Sequence, residues 1–294
     1  MTVCAIIISY YPTEEIVGNV SALLGQVNEI VIVDNGSGHS SQEIFKRLSL
    51  FPRLTVIYNG RNLGVAAALN LGVQHAKAGR HQWVWTFDQD STVTAGMLSQ
   101  MLQAYESYPR KEVVASLSPR YRDKATGGIN GSRLKAANHE GTLYAEALVV
   151  ITSGNLVKLD VFDVVGGYNE ALFIDQVDNE FCLRCATYGY RILEINGAVL
   201  DHCVGSPVQH RLLWKRPIAT NHNALRRYYI TRNGIYVYKK YLLRFPGWVL
   251  QDARTFLQGI VIMILFEHEK VKKLAATCRG IFHGVTGRMG KLEA

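Results

Sequence analysis

Four short apolar runs rich in β-branched residues recur along the first ninety positions: Val3–Ser9, Glu29–Val33, Leu54–Tyr58 and Trp83–Phe87. A helical spacing of apolar residues follows each of the first three, over Glu14–Leu24, Ser41–Leu48 and Val65–Ala78. Apolar runs this short suit buried strands, and the longer periodic stretches suit amphipathic helices. The resulting β-α-β-α rhythm predicts an α/β fold with a Rossmann-like, mainly parallel central sheet flanked by helices. Ligands of such sheets bind beyond the carboxyl ends of the strands. Tyr10, Asp34, Asn62 and Asp88 all follow strand ends or lie in the loops after them.

The fourth run ends in Asp88-Gln89-Asp90. Two carboxylates one residue apart at the end of a buried strand repel each other and lose solvation. A hard divalent cation with oxygen ligands, Mg2+ or Mn2+, would relieve both penalties and bridge the phosphates of a nucleotide. The alternative is a pair of solvated acids at a strand-to-loop transition. Gly36-Ser37-Gly38 lacks the third glycine of a dinucleotide fingerprint, and no phosphate-binding Gly-Lys-Ser/Thr loop is present.

Charge divides the chain. Residues 205–294 carry 16 Lys/Arg against 4 Asp/Glu, while residues 1–204 carry 16 against 20. A basic tail on a mildly acidic body points to an anionic partner. The five cysteines, Cys4, Cys182, Cys185, Cys203 and Cys278, are scattered and odd in number, which argues against a disulfide framework. Cys182 and Cys185 with His202-Cys203 offer a zinc reading, but the pair falls in a helical pattern, where buried thiols are the simpler expectation. Met1-Thr2 leads straight into a strand without a basic leader, so a cytoplasmic location is expected.

Further along, residues 92–105 read as a helix, residues 119–145 as a long loop or irregular hairpin, and Leu148–Ser153 as a strand. Asp178–Tyr188 reads as a helix with Asp178 and Glu180 in its first turn, where negative charge is favoured by the helix dipole whatever its function. Ile192–Leu200 reads as a strand running into Asp201-His202. A histidine there serves either as a packed residue or as a metal ligand.

In order, the segments SYYP (9–12), IVDNGS (32–37), NLGVAAALN (62–70), FDQDS (87–91), SG (153–154), FIDQVDNEFCLR (173–184), DHCVG (201–205) and RRYYITRNGIYV (226–237) resemble the inverting GT-A glycosyltransferases of family 2, in particular the rhamnosyltransferase-like group. The resemblance implies a catalytic domain over residues 1–205 and a basic helical region over 206–294. It implies that Asp34 contacts the nucleotide base and that Gly64 and Ala66 are small so that the nucleotide can approach. It implies that Asp88 and Asp90 hold nucleotide and metal, with His202 completing the metal site, and that Asp178 is the catalytic base. Tyr10, Asn35, Gln89 and Arg232 fall with the nucleotide-sugar-binding group, Arg232 beside Asn233 in the tail motif. The chain departs from the family's Glu-Asp pair at Val177, with Asp175 or Glu180 left to supply the missing acid. The implied donor is dTDP-L-rhamnose, or another nucleotide sugar. The implied acceptor is a lipid-linked glycan or polysaccharide, as in O-antigen synthesis.

Thr255–Phe266 reads TFLQGIVIMILF, followed by Lys270, Lys272, Lys273 and Arg279. Twelve residues of helix span about 18 Å, short of a hydrocarbon core about 30 Å thick. Such a segment suits a peripheral contact with the cytoplasmic membrane face, or else a core helix or a homo-oligomer interface. Two other classes compete. DQDST also fits the D-x-D-x-T of haloacid-dehalogenase-type phosphatases, but three strands precede it and no G-D-x-x-x-D follows. A non-catalytic sugar-nucleotide or nucleic-acid binder would leave Asp178 dispensable. No nucleic-acid module is visible, and no nucleic-acid partner is expected.

Overall fold

The computed structural model describes residues 1–123, 128–131, 142–202, 208–209 and 218–293. They form two compact units: Met1–Phe173 with Val177–Cys203, and Ile174–Gln176 with Val204–Ala294.

In the first unit, the elements begin β1 (Val3–Ser9), α1 (Glu15–Leu24), β2 (Glu29–Asp34), α2 (Gln42–Leu48), β3 (Leu54–Tyr58), α3 (Val65–Ala78) and β4 (Trp83–Asp88). The order continues with β5 (Thr92–Val93), α4 (Met97–Ser107), β6 (Val114–Asp123), β7 (Ile129–Asn130), β8 (Tyr144–Ala147), β9 (Asn155–Lys158), α5 (Val161–Val165), α6 (Val177–Thr187) and β10 (Arg191–His202). The sheet runs β3-β2-β1-β4-β9-β6-β10-β5. Its first four strands are mutually parallel, β9 is antiparallel to both β4 and β6, and β6 and β10 are parallel. All seven residues of β1 are buried, because helices cover both faces of a sheet built by crossovers. On one face Ile7, Ile32, Trp85, Phe87, Met101 and Leu193 join a single core cluster. Truncating a side chain as large as the fully buried Trp85 to alanine typically costs about 3–5 kcal/mol.

Two local expectations are corrected, and the irregular hairpin expected within 119–145 is met in its described part, where β6 and β7 pair antiparallel. The helix expected over 92–105 starts at Met97, because Thr92 and Val93 pair with Asp201 and Leu200 of β10 as a short antiparallel strand. The strand expected over Leu148–Ser153 is an irregular connection, and the paired residues are Asn155–Lys158. Between them Gly154 turns the backbone at a φ of +79°. Within the stretch 119–145, β6 extends to Asp123, and the described remainder forms β7 and the start of β8.

In the second unit, a two-stranded ladder of β11 (Val208–Gln209) and β12 (Ile218–Ala219) precedes α7 (Ala224–Tyr241), α8 (Pro246–Phe266) and α9 (Lys270–Thr286). Helix α9 lies almost backbone to backbone on α7. A Cβ on Gly280 would stand 2.8 Å from the Tyr228 carbonyl oxygen, and one on Gly284 would stand 2.8 Å from that of Arg232. The expected twelve-residue apolar helix is the second half of α8. Pro246 opens the helix at its first position, where its missing N–H costs nothing. The 21-residue helix is therefore long and apolar enough to cross a membrane by length and composition, and the length argument against spanning does not hold. Leu250, Leu257, Val261, Ile264 and Leu265 are exposed along it, at spacings that place them on one stripe.

The corner between α8 and α9 is held by charge. Glu267 is 1% exposed. It accepts from Arg227 and Lys273 at 2.8 Å each and from the Asn221 N–H at 3.0 Å. Burial pushes its pKa up, but these donors outweigh burial and hold it below the usual glutamate range. Nearby His222 is pushed down to about 4 by burial and by Arg226, Arg227 and Lys273. Both groups are depressed on folding, so the stability they confer is complete above their unfolded values and is lost as pH falls through the folded ones. Thermal melts from pH 7 to pH 4 should show falling stability, with His222 contributing between its ordinary 6.5 and about 4. Glu267→Gln should cost about 3 kcal/mol or more in chemical denaturation at pH 7, because two buried cations lose their counter-charge.

Candidate donor-binding site

The parallel register fixes the first layer of the site. Ser9 at the end of β1 lies opposite Asp34 of β2, and Ile8 lies opposite Asp88 of β4. Tyr10, Asp34, Asn35, Asp88, Gln89 and Asp90 thus emerge from adjacent strand ends.

Gln89 ties the acidic loop to the end of β1. Its Oε1 accepts from the Tyr10 N–H at 2.9 Å and the Ser9 hydroxyl at 3.2 Å, and its Nε2 donates to the Tyr10 carbonyl at 3.2 Å. Asn19 of α1 donates to the Gln89 carbonyl at 2.8 Å. The glutamine between the two acids is therefore a clamp, and its side chain is used by the protein. From the other side, the Ser153 hydroxyl accepts the Asp88 N–H at 3.2 Å and meets the Ser91 hydroxyl at 2.7 Å. Sequence reasoning missed Ser153 as a support for Asp88, although the Ser-Gly at 153–154 was visible. Thr92 pairs with Asp201, so β10 delivers its end alongside this loop. The side chain of His202 and all of Cys203 lie outside the described residues.

Asp34 is 5% exposed. Its carboxylate accepts the Ser37 N–H at 3.0 Å and the Ser37 hydroxyl, and that hydroxyl accepts the Tyr11 N–H at 2.8 Å. Asn35 organises the next loop. Its Oδ1 accepts from the Leu63 N–H at 2.9 Å and from Asn59 at 3.1 Å, and its Nδ2 donates to Asn62 at 3.1 Å. The rings of Tyr10 and Tyr11 stand exposed, edge to face at 4.6 Å.

Three residues expected at the donor make contacts within the protein. Gly64 has a φ of +91°, and a Cβ there would fall 2.6 Å from both the ring and the carbonyl oxygen of Phe173. The next N–H, of Val65, donates to that carbonyl at 2.7 Å. The space over Gly64 thus belongs to the segment that leads into α6. Ala66 is fully buried on α3. Arg232, 1% exposed, donates to Asn233 at 2.9 Å and to the Gly290 carbonyl at 2.5 Å, and stacks on Tyr229 at 4.8 Å. Its guanidinium is part of the packing of the second unit and presents no surface to a diphosphate.

Asp178 occupies the first turn of α6, where its carboxylate accepts the Asn179 N–H at 2.8 Å. Glu180 is buried and paired with Arg184 at 2.9 Å. Asp175 has a φ of +61° and takes Arg226 at 3.3 Å. Burial raises its pKa, and Arg226 opposes the rise. The Ile174 and Asp175 carbonyls each accept from Asn233 Nδ2, at 2.6 and 3.0 Å. Asn233 thus has a visible task, holding the three residues that precede the first turn of α6. Cys182 and Cys185 are buried free thiols, as their helical spacing predicts.

The Glycosyl transferase family 2 pattern matches residues 4–165. The chain belongs to this family. It is 29% identical over 299 residues to a dTDP-rhamnosyl transferase, RfbF, of Shigella flexneri, covering 96% of both chains. It is 24% identical over 314 residues to a low-salt glycan biosynthesis hexosyltransferase, Agl10, of Haloferax volcanii, covering 98% of this chain and 93% of that one. Among solved structures it is similar to GalNAc-T7 with UDP, GalNAc and Mn2+, with a TM-score of 0.63 at 13% identity. The match takes in 97% of this chain and 56% of that one. It is also similar to S. aureus TarS 1-349, with a TM-score of 0.61 at 13% identity, covering 98% and 82% of the two chains. These matches establish the GT-A fold for this family 2 glycosyltransferase.

The Gly64–Phe173 contact yields a direct test. Gly64→Ala places a methyl group inside van der Waals distance of Phe173 at a strained φ, at a cost of about 1–3 kcal/mol. Turnover should fall more than nucleotide affinity, measured by calorimetry with nucleotide diphosphate, because the displaced segment carries Asp178 and the strand ends are untouched.

Proposed function

We propose that the enzyme transfers L-rhamnose from dTDP-L-rhamnose to a hydroxyl of a lipid-linked or polysaccharide acceptor, with inversion, at the cytoplasmic face of the membrane. The observation that carries the donor is the likeness to a dTDP-rhamnosyl transferase over 96% of both chains. Mg2+ or Mn2+ suits the hard oxygen donors of Asp88 and Asp90, with His202 as a third ligand. When bound, that ion neutralises charge developing on the leaving diphosphate. Asp34 and Asn35 shape the pocket for the base and ribose, and the exposed Tyr10 ring forms its lip. Gln89 fixes the angle at which the two acids leave β4. Asp178 takes the proton from the acceptor hydroxyl. The acceptor oxygen attacks the anomeric carbon from the face opposite the phosphate, the carbon–oxygen bond to the diphosphate breaks, and dTDP departs.

Release of dTDP from dTDP-rhamnose, compared with UDP- and GDP-hexoses, tests the donor; turnover of UDP-hexoses alone would overturn it. Asp178→Asn keeps the size but cannot accept the proton, so turnover should fall about 100-fold or more with donor affinity little changed. Asp90→Asn should lose donor affinity as well, and chelation should mimic it.

We further propose that the exposed stripe of α8 lies on the membrane surface. Asp252, inside that helix, accepts from Tyr238 at 2.7 Å, which favours a helix lying on the membrane over one crossing it. The basic residues of α9 add a preference for anionic lipid. Sedimentation with anionic vesicles should weaken in high salt without vanishing, and the pair Leu257→Asp and Val261→Asp should abolish it while donor hydrolysis persists. A wild-type chain that never sediments would assign the stripe to a homo-oligomer interface.

A further inference from the structure

At the opposite ends of the strands from the donor site, three metal-ligating side chains of different chemistry converge. Cys4 is the second residue of β1, and its register partner across the β1–β2 ladder is Glu29, the first residue of β2. His81 lies in the link between α3 and β4. One ligand atom from each of Cys4, Glu29 and His81 lies within 4.8 Å of the other two. Among the described residues this is the only group of three His, Cys, Asp or Glu side chains gathered so closely. Strands rise about 3.3 Å per residue, so Cys4 is roughly 16 Å along β1 from Ser9, and this cluster shares no residue with the acid pair.

A group that would steady the carboxylate is also present. The Glu29 carboxylate accepts from two imidazoles, His81 Nε2 on one oxygen and His75 Nε2 on the other, each at 2.7 Å. Burial pushes the Glu29 pKa up, but the two histidines outweigh it and hold the carboxyl below its usual range. A carboxylate ligand is normally steadied in this way by a partner on its second oxygen. His75, in the last turn of α3, fills that place. The His81 side chain is 9% exposed, and its Nδ1 is buried without a hydrogen-bond partner among the described residues. Cys4 is fully buried, and its thiol donates to the Ala5 carbonyl at 3.8 Å. A buried thiol of this kind is inert, and a cation beside it is what would make it a thiolate ligand. Glu29 and His75 retain partial exposure, 24% and 30%, which leaves an entry path from solvent.

We infer that Cys4, Glu29 and His81 form a second metal site, for a borderline divalent transition ion, above all Zn2+, with His75 orienting the carboxylate. Thiolate, imidazole and carboxylate are zinc's ligand set, whereas Mg2+ and Mn2+ prefer the all-oxygen pair at the other edge. Three protein ligands leave the fourth tetrahedral position to water. Binding displaces the Cys4 thiol proton to solvent and requires the neutral His81 tautomer with its proton on Nδ1, so that Nε2 turns its lone pair from Glu29 to the ion. The hydrogen bond of 2.7 Å between His81 and Glu29 then opens to the wider spacing of two ligands on one metal. The ion joins the starts of β1 and β2 to the α3–β4 link, and its role is to staple that edge of the sheet.

The test uses the full chain, stripped with chelator and titrated with Zn2+ or Co2+ alone. Wild type should retain one Zn2+ after gel filtration and melt at a higher temperature with it. With Co2+ it should show a near-ultraviolet thiolate-to-metal charge-transfer band. Cys4→Ser should lose the band, His81→Gln and Glu29→Gln should weaken binding at least tenfold, and His75→Gln should weaken it by about 10- to 100-fold. Asp90→Asn should keep both the band and the affinity, which separates this site from the donor site. Should Cys4→Ser fail to fold, His75→Gln and Glu29→Gln, at partly exposed positions, carry the same test. No charge-transfer band in wild type, a band surviving in Cys4→Ser, or Zn2+ affinity unchanged in the His75, Glu29 and His81 variants would each overturn the site.

Discussion

Strand β1 is buried on both faces, and the layout of the first unit follows from that burial. A strand covered on both sides must be apolar throughout, so it can offer polar groups only at its ends. The parallel connection of β1 with β2 and β4 brings equivalent ends of three strands to one edge. Chemistry that needs carboxylates close together is thereby confined to that edge, where backbone N–H and C=O groups leaving the ladder also seek partners. Gln89, Asn35 and Ser153 meet this demand. Their side chains satisfy loop backbone, and Gln89 and Ser153 in doing so steady the loop that carries Asp88 and Asp90.

The hydrogen bonds around Asp34 illustrate the cost of preorganisation. A carboxylate that is 5% exposed retains favourable energy only while Ser37 supplies its donors. The same hydroxyl of Ser37 accepts from Tyr11, so the loop after β1 and the loop after β2 are one hydrogen-bonded unit. Shape at this edge is set by polar pairing between loops, whereas the strands beneath are set by apolar packing.

The strands β1 to β4 and helix α3 were legible because their patterning is dictated by the core they face. Val65–Ala78 and Leu54–Tyr58 were read to the residue. Reading failed where a segment's partners are distant in sequence. Thr92 and Val93 look like a helix start, but β10, more than a hundred residues later, captures them. The second half of α8 is apolar and was easy to see, while its first half, holding Asp252 and Arg254, was not, because polarity alone does not end a helix. At the site, the acid pair and Asp178 stood out by residue type and place. The roles of Gly64 and Arg232 did not, since a small residue or an arginine in a motif looks the same whether it faces a ligand, Phe173 or a pair of tyrosines.

The tripeptide Ile174–Gln176 is covalently continuous with helix α6, yet it is assembled with the residues after 203. Asn233 and Arg226 bind it from more than fifty residues downstream. Modularity in this enzyme therefore does not follow the linear chain. A chimera that exchanges the C-terminal region between relatives at a single junction near residue 203 would pair one parent's tripeptide with the other parent's Asn233 and Arg226. The unit of exchange that preserves these bonds is discontinuous, and residues 174–176 have to travel with the tail.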